Sequence, residues 1–170
     1  KDIKNTKYKV VSVKLGTRKK NPAPPFTTST MQQEALNKLG FNLKKASSCA
    51  QELYEGVSLG EEGKVALITY IRTDSVRISD EARAAAKEYI TEQFGSEFHS
   101  NNFYSNKKKD VQDAHEAIRP TQIELTPTIL KEQLSRDLFR LYQLIWKRFA
   151  ASRMQPANYE TTSVKIDAGE

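Results

Sequence analysis

Val65-Ala66-Leu67-Ile68-Thr69-Tyr70-Ile71-Arg72-Thr73-Asp74-Ser75 is an extended segment in a chain whose other patterns are mostly helical. Its apolar run leads into a tyrosine, an arginine and an aspartate at alternate positions. Side chains on an extended backbone alternate between faces, so Tyr70 and Arg72 project to the same side. A tyrosine phenol titrates near 10 and is a poor nucleophile at neutral pH unless its phenolate is stabilised. A neighbouring arginine can lower that value, clamp a phosphate, or do both. Spacing alone leaves two readings open. One is a phosphoryl-transfer centre leaving a strand; the other is a strand with ordinary surface residues.

Outward from this segment the periodicity is helical. Thr28, Ser29 or Thr30 can cap a helix, Gln33 after Thr30 gives a capping-box pattern, and Met31, Ala35, Leu36 and Leu39 form an apolar stripe that Gly40 stops. A second stripe, Ala46, Ala50, Leu53, Tyr54 and Val57, runs to a stop near Gly60; Cys49 falls within it as a small core residue. Ser79 caps a third helix, with Asp80 and Glu81 suited to its first turn and Gly95 at its end. Thr126-Pro127 pairs an N-cap with proline at the first helical position. Leu138, Leu141, Tyr142, Ile145, Trp146 and Phe149 then recur as a core face, not a base-stacking platform.

Both ends read differently. Tyr8 to Leu15 and Asn158 to Ile166 are β-branched and strand-like, and Gly16 to Pro25 is a linker or domain crossing. These strands bracket the middle, which predicts a mainly α chain, α+β overall: residues 1–24 and 157–170 from an adjoining β domain, residues 25–156 a helical domain.

Composition permits this. The chain has 170 residues, 38% hydrophobic and 28% charged, which suits one domain of ordinary size with a fragment of another. Its net charge of +6 and pI near 9.3 fit a protein that neutralises phosphates, as well as many that do not. The runs Arg18-Lys19-Lys20 and Lys107-Lys108-Lys109 read as solvated loops. One cysteine excludes an internal disulfide or a cysteine metal cluster. No run of about 18 apolar residues offers a membrane helix. Lys1-Asp2-Ile3-Lys4 opens no signal peptide. The missing initiator Met and the stop at Gly169-Glu170 give the expectation of a piece of a longer protein.

In Ala114-His115-Glu116-Ala117-Ile118-Arg119-Pro120, His115 and Arg119 stand four apart, on one face if the turn is helical, and Pro120 should end that turn. The pair could grip a phosphate or a leaving-group oxygen, or be a plain polar turn.

Ile68 to Ser75 resembles the active-site segment of the type IA DNA topoisomerases, on the bacterial topoisomerase I branch. Pro24-Pro25-Phe26-Thr27-Thr28-Ser29-Thr30-Met31-Gln32-Gln33-Glu34-Ala35 and Ala114 to Pro120 match the same family in the same order. Met154-Gln155-Pro156-Ala157-Asn158-Tyr159 resembles its exit from a helical domain inserted into a β domain, whose strands act as a hinge. The resemblance implies that Tyr70 attacks a phosphodiester of single-stranded DNA and becomes joined to the 5′ phosphate. It implies that Arg72 contacts the scissile phosphate and favours the phenolate, that Asp74 orients Arg72 or nearby backbone, and that His115 lies near bound phosphates. Glu116 and Arg119 become supporting residues. Thr28, Ser29, Thr30 and Gln33 stand at a helix N-terminus whose free N–H groups suit a phosphate, although capping explains them equally.

In the family, Mg²⁺ is held by an acidic domain not found in this sequence, so the resemblance implies no metal or cofactor bound by this chain itself. It gives Asp110 and Asp113 no metal role. The implied partners are single-stranded and negatively supercoiled DNA, in the cytoplasm at the bacterial nucleoid, with no membrane. Relaxation of supercoils would be beyond this fragment alone. The other readings are a topoisomerase III or reverse-gyrase fragment, and a non-catalytic helical DNA-binding module.

Overall fold

β-Branched residues near both ends form one antiparallel ribbon. In the computed structural model, which describes residues 7–60, 63–104 and 115–168, β1 (Lys9–Lys20) pairs with β4 (Ala157–Asp167). Val10 lies opposite Ile166, Val13 opposite Val164 and Thr17 opposite Glu160, with a bulge between Val10 and Ser12. β1 continues past Leu15, so Arg18, Lys19 and Lys20 are strand residues facing Tyr159, Asn158 and Ala157, not a loop. No proline removes a backbone donor before Pro22, and the ladder runs on until that point. The chain divides into two compact units, residues 1–21 with 156–170 and residues 22–155.

In the larger unit, α1 (Thr28–Glu34) is capped one residue earlier than the sequence predicts. Thr27 is extended, with φ −95° and ψ 172°, as a cap must be. Its hydroxyl accepts the Thr30 N–H at 3.3 Å, and the Thr30 hydroxyl accepts the Thr27 N–H at 2.9 Å. Thr30 thereby closes the capping box expected of Gln33, whose amide instead donates to Asn37 Oδ1 at 3.2 Å. A π-helical turn over Ala35–Leu39 extends α1 to Gly40, whose φ of +68° only glycine adopts freely.

α2 (Leu43–Glu55), capped by the Asn42 side chain, buries Ala46, Ala50 and Leu53. It stops at Gly56, before the expected Gly60. Gly56 has φ +106°, and a Cβ there would meet the Val65 carbonyl carbon at 3.1 Å. The close pass is created by β2 (Val57–Ser58) pairing with β3 (Lys64–Val65), which brings the chain back along the end of α2. α3 (Asp80–Phe94) is capped by Ser79 and ends at Gly95. Thr126 caps α4, which is only Pro127–Leu130, and α5 spans Arg136–Ser152.

α5 organises the core. Leu138, Leu141, Tyr142 and Ile145 pack with Phe26, Met31, Phe41, Leu53, Leu67 and Ile118. A smaller cluster joins Phe149 to Ile78, Ala82, Ala86 and Ile123. The buried aromatics satisfy their polar atoms on carbonyls: Tyr142 Oη donates to Leu125 O at 2.5 Å and Trp146 Nε1 to Ile123 O at 2.8 Å. Burial, and then the nearby Glu124 carboxylate, push the Tyr142 phenol well above its ordinary pKa. Cys49 is half-buried at the edge of the core. No helix among the described residues is long and apolar enough to cross a membrane. Lys107, Lys108, Lys109, Asp110 and Asp113 lie outside the described residues.

Candidate active site

Three non-helical segments converge on Tyr70, and threonine hydroxyls hold them together. From Tyr70 to Ser75 burial alternates: Ile71, Thr73 and Ser75 are buried, Tyr70 is half-buried, and Arg72 and Asp74 are exposed. The chain bends at Ile71 and Arg72 and forms no strand there, yet the alternation leaves Tyr70, Arg72 and Asp74 on the more exposed side. No ion pair joins Arg72 to Asp74 among the described residues, so the orienting role implied for Asp74 finds no contact here.

Thr28, for which the sequence leaves a phosphate contact and a helix cap equally open, bonds the neighbouring segment. Its N–H donates to Thr73 O at 2.9 Å, and its hydroxyl accepts the Thr73 N–H at 2.9 Å. The same hydroxyl has the carbonyls of Ile71, at 2.7 Å, and Thr73, at 3.0 Å, as acceptors for its proton. The start of α1 is thus clipped to the backbone around Arg72. Ser29 is exposed, its hydroxyl 3.2 Å from that of Thr27.

Thr69 makes the second clip. Its N–H donates to Arg119 O at 2.9 Å, its hydroxyl donates to Ala117 O at 2.7 Å, and the hydroxyl accepts the Arg119 N–H at 3.0 Å. Ile118 N–H bonds Phe26 O at 2.8 Å and Thr121 N–H bonds Leu67 O at 3.0 Å, so His115–Thr121 is fastened to both other segments. This stretch is not the helical turn the sequence spacing predicts: it bends at His115 and Thr121 and meets Phe26 and Ile68 through isolated antiparallel bridges at Ile118 and Pro120. Ala117 and Ile118 are both buried, and the backbone bonds go to neighbouring segments instead of along a helix.

His115 and Arg119 accordingly part company. The His115 ring lies with its centroid 4.7 Å from that of Tyr70, tilted by 43°. Arg119 turns to Glu116, its Nε and Nη2 each 2.7 Å from Glu116 Oε2, and Nη1 donates to Pro120 O at 3.0 Å. Both side chains of that ion pair are mostly buried, and the pair stiffens the segment carrying His115. Tyr54 completes the surroundings, its ring edge-on to Tyr70 with centroids 5.5 Å apart.

A half-buried phenol, an imidazole against it and an exposed guanidinium two residues on can receive an anionic ester and attack it. The residues 1–170 match the profile of the DNA topoisomerase family. The chain belongs to the bacterial type IA DNA topoisomerases. It is 51% identical over 154 residues to DNA topoisomerase 1 of Xylella fastidiosa, covering 89% of this chain and 19% of that relative. It also superposes on full-length topoisomerase I from Thermotoga maritima with a TM-score of 0.79 and 44% identity, over 96% of this chain and 26% of that one. The chain therefore spans about a fifth to a quarter of the length of these relatives.

Among the described residues of this topoisomerase chain, no three of His, Cys, Asp and Glu gather as metal ligands. Sequence reasoning missed the two threonine clips and the contact of Tyr54. Thr69 stood inside the quoted motif and Tyr54 inside an apolar stripe, but hydroxyl bonds between segments 48 residues apart carry no local signal.

Proposed function

We propose that this chain is the tyrosine-bearing part of a topoisomerase that cuts one DNA strand, lets another pass, and reseals it. The observation that carries the reading is the contact of the His115 ring with the outward-facing Tyr70, two residues from exposed Arg72. Tyr70 Oη attacks the phosphorus of a single-stranded segment. The new bond joins Oη to the 5′ phosphate, the bond to the 3′ oxygen breaks, the phenol gives up its proton, and the departing 3′ oxygen takes one. The Arg72 guanidinium meets the charge that develops on the phosphoryl oxygens. His115, beside the phenol, can hold a proton or a phosphate oxygen. Because the bond energy is kept in the phosphotyrosine, the reverse attack reseals the strand without ATP. The positive net charge supports a DNA substrate, negatively supercoiled duplex being the one that opens single strands most readily. The bacterial nucleoid is the corresponding place of action. The remaining length of the relatives supports the further proposal that the 170-residue chain alone does not relax DNA.

Capture of end-labelled single-stranded DNA on a denaturing gel by the full-length enzyme tests this reading. Tyr70→Phe keeps the ring and loses one oxygen; it should fold normally and yield no adduct. Arg72→Ala should slow adduct formation by about 10²–10³-fold, as loss of one transition-state donor does elsewhere. A folded Tyr70→Phe enzyme that still traps DNA would leave Tyr70 a structural residue and the chain a DNA-binding module.

A further inference from the structure

We propose that Tyr54 is a positioning residue for Tyr70, setting the orientation of the phenol through its ring; this rests on the reading of Tyr70 as nucleophile. A phenol on the outer side of a segment turns about two side-chain bonds, and an in-line attack uses only a narrow part of that range. Two rings limit it. His115 reaches Tyr70 from the 115–121 segment, and Tyr54 reaches it edge-on from the last turn of α2, at 68° between ring planes.

The Tyr54 contact stands on buried backbone. Leu53, its neighbour, is fully buried, and its carbonyl accepts the N–H of Leu67, also fully buried, at 2.8 Å. The β2–β3 pair closes the path between Tyr54 and Tyr70, and Gly56 permits the close approach of the returning backbone. Helix end and tyrosine segment are therefore pinned together next to both rings. Among the described residues the Tyr54 hydroxyl makes no hydrogen bond, so the ring, not the hydroxyl, is the working part.

The test uses the full-length enzyme with Tyr54→Phe and Tyr54→Leu. Single-turnover adduct formation is measured at saturating single-stranded DNA, affinity by fluorescence anisotropy, and the Tyr70 environment by ¹⁹F NMR of a fluorotyrosine at that position. Tyr54→Phe should stay within about twofold of wild type, since the ring contact is kept. Tyr54→Leu should slow the adduct step about tenfold or more with unchanged DNA affinity, and should move or broaden the ¹⁹F resonance. If thermal melting shows Tyr54→Leu unfolded, Tyr54→Met, with a similar apolar volume, takes its place with the same expectation. A folded variant lacking the ring that forms adduct at the wild-type rate, or leaves the resonance unchanged, overturns the proposal. So does a Tyr54→Phe enzyme as slow as the ringless one. Absence of adduct in wild type removes the nucleophile reading, and this inference with it.

Discussion

The helices of the larger unit and the three segments around Tyr70 are stabilised in different ways. α2 and α5 meet through apolar side chains placed at helical spacing, with Leu53, Leu141, Tyr142 and Ile145 fully buried. The segments 26–27, 67–77 and 115–121 have no helical ladder to satisfy their backbone, and they borrow bonds from one another, from Thr28 at the start of α1 and from the Thr69 side chain. One region is held by area removed from water, the other by groups that would be unsatisfied if separated. The difference suits the site. A hydrogen-bonded clip fixes backbone position while leaving Tyr70, Arg72 and Asp74 on the outer side.

Substitutions that separate these two kinds of support should have separable effects. The largest is expected in the helical core: Leu141→Ala should cost about 3–5 kcal/mol in chemical denaturation, because the cavity forms at a fully buried position. If it cost under about 1 kcal/mol, the core would not be the dominant support. Thr69→Val and Thr28→Val keep side-chain volume and strand the Arg119 or Thr73 N–H. Each should cost about 1–3 kcal/mol. In the full-length enzyme each should also slow the adduct step more than Leu141→Ala does at a temperature where all are folded. Equal rates for the threonine variants and wild type would break the comparison.

Between the regions sits a charged tie. Arg148 of α5 lies over the Phe26 ring, its Cζ 4.3 Å from the centroid, and pairs with Glu34 at 3.2 Å. The Lys38 ammonium, 2.5 Å from Oε2, together with the charge of Arg148, outweighs the opposing effect of burial and holds the Glu34 carboxyl below its ordinary value of 4.5. A depressed carboxylate contributes stability above its unfolded pKa and loses it as pH falls through the folded one. Glu34→Gln should therefore destabilise at pH 7, with the deficit shrinking below pH 4.5 in melts across pH. A deficit that grew with acidity would reverse the assignment. The smallest effect is expected on the ribbon. Val13 is exposed although it sits in an apolar strand pattern, and Val13→Thr should change stability by no more than about 0.5 kcal/mol.

Much of this was legible because the signals are local. Ser79 before Asp80-Glu81, Gly40 and Gly95 after apolar stripes, and Thr126-Pro127 act through their own backbone bonds and φ angles, and each falls where the periodicity places it. Tyr142, Trp146 and Phe149 repeat at helical spacing and face the core, as their spacing predicts. Errors came where a local signal had a competitor. Residues 27–30 offer four possible caps, and only the extended backbone of Thr27 selects among them. The β2–β3 return ends α2 at Gly56 in preference to a later glycine.

The sequence by itself determined the helices, their principal stops, the two terminal strands and the family to which the motifs belong, since each depends on residues close together in the chain. Only the tertiary structure decided that His115–Pro120 is not helical, that Arg119 goes to Glu116 while the His115 ring goes to Tyr70, and that Thr28 clips a backbone. Those outcomes depend on which carbonyls and rings arrive from segments far apart in sequence. No spacing within one segment encodes what another will bring to it.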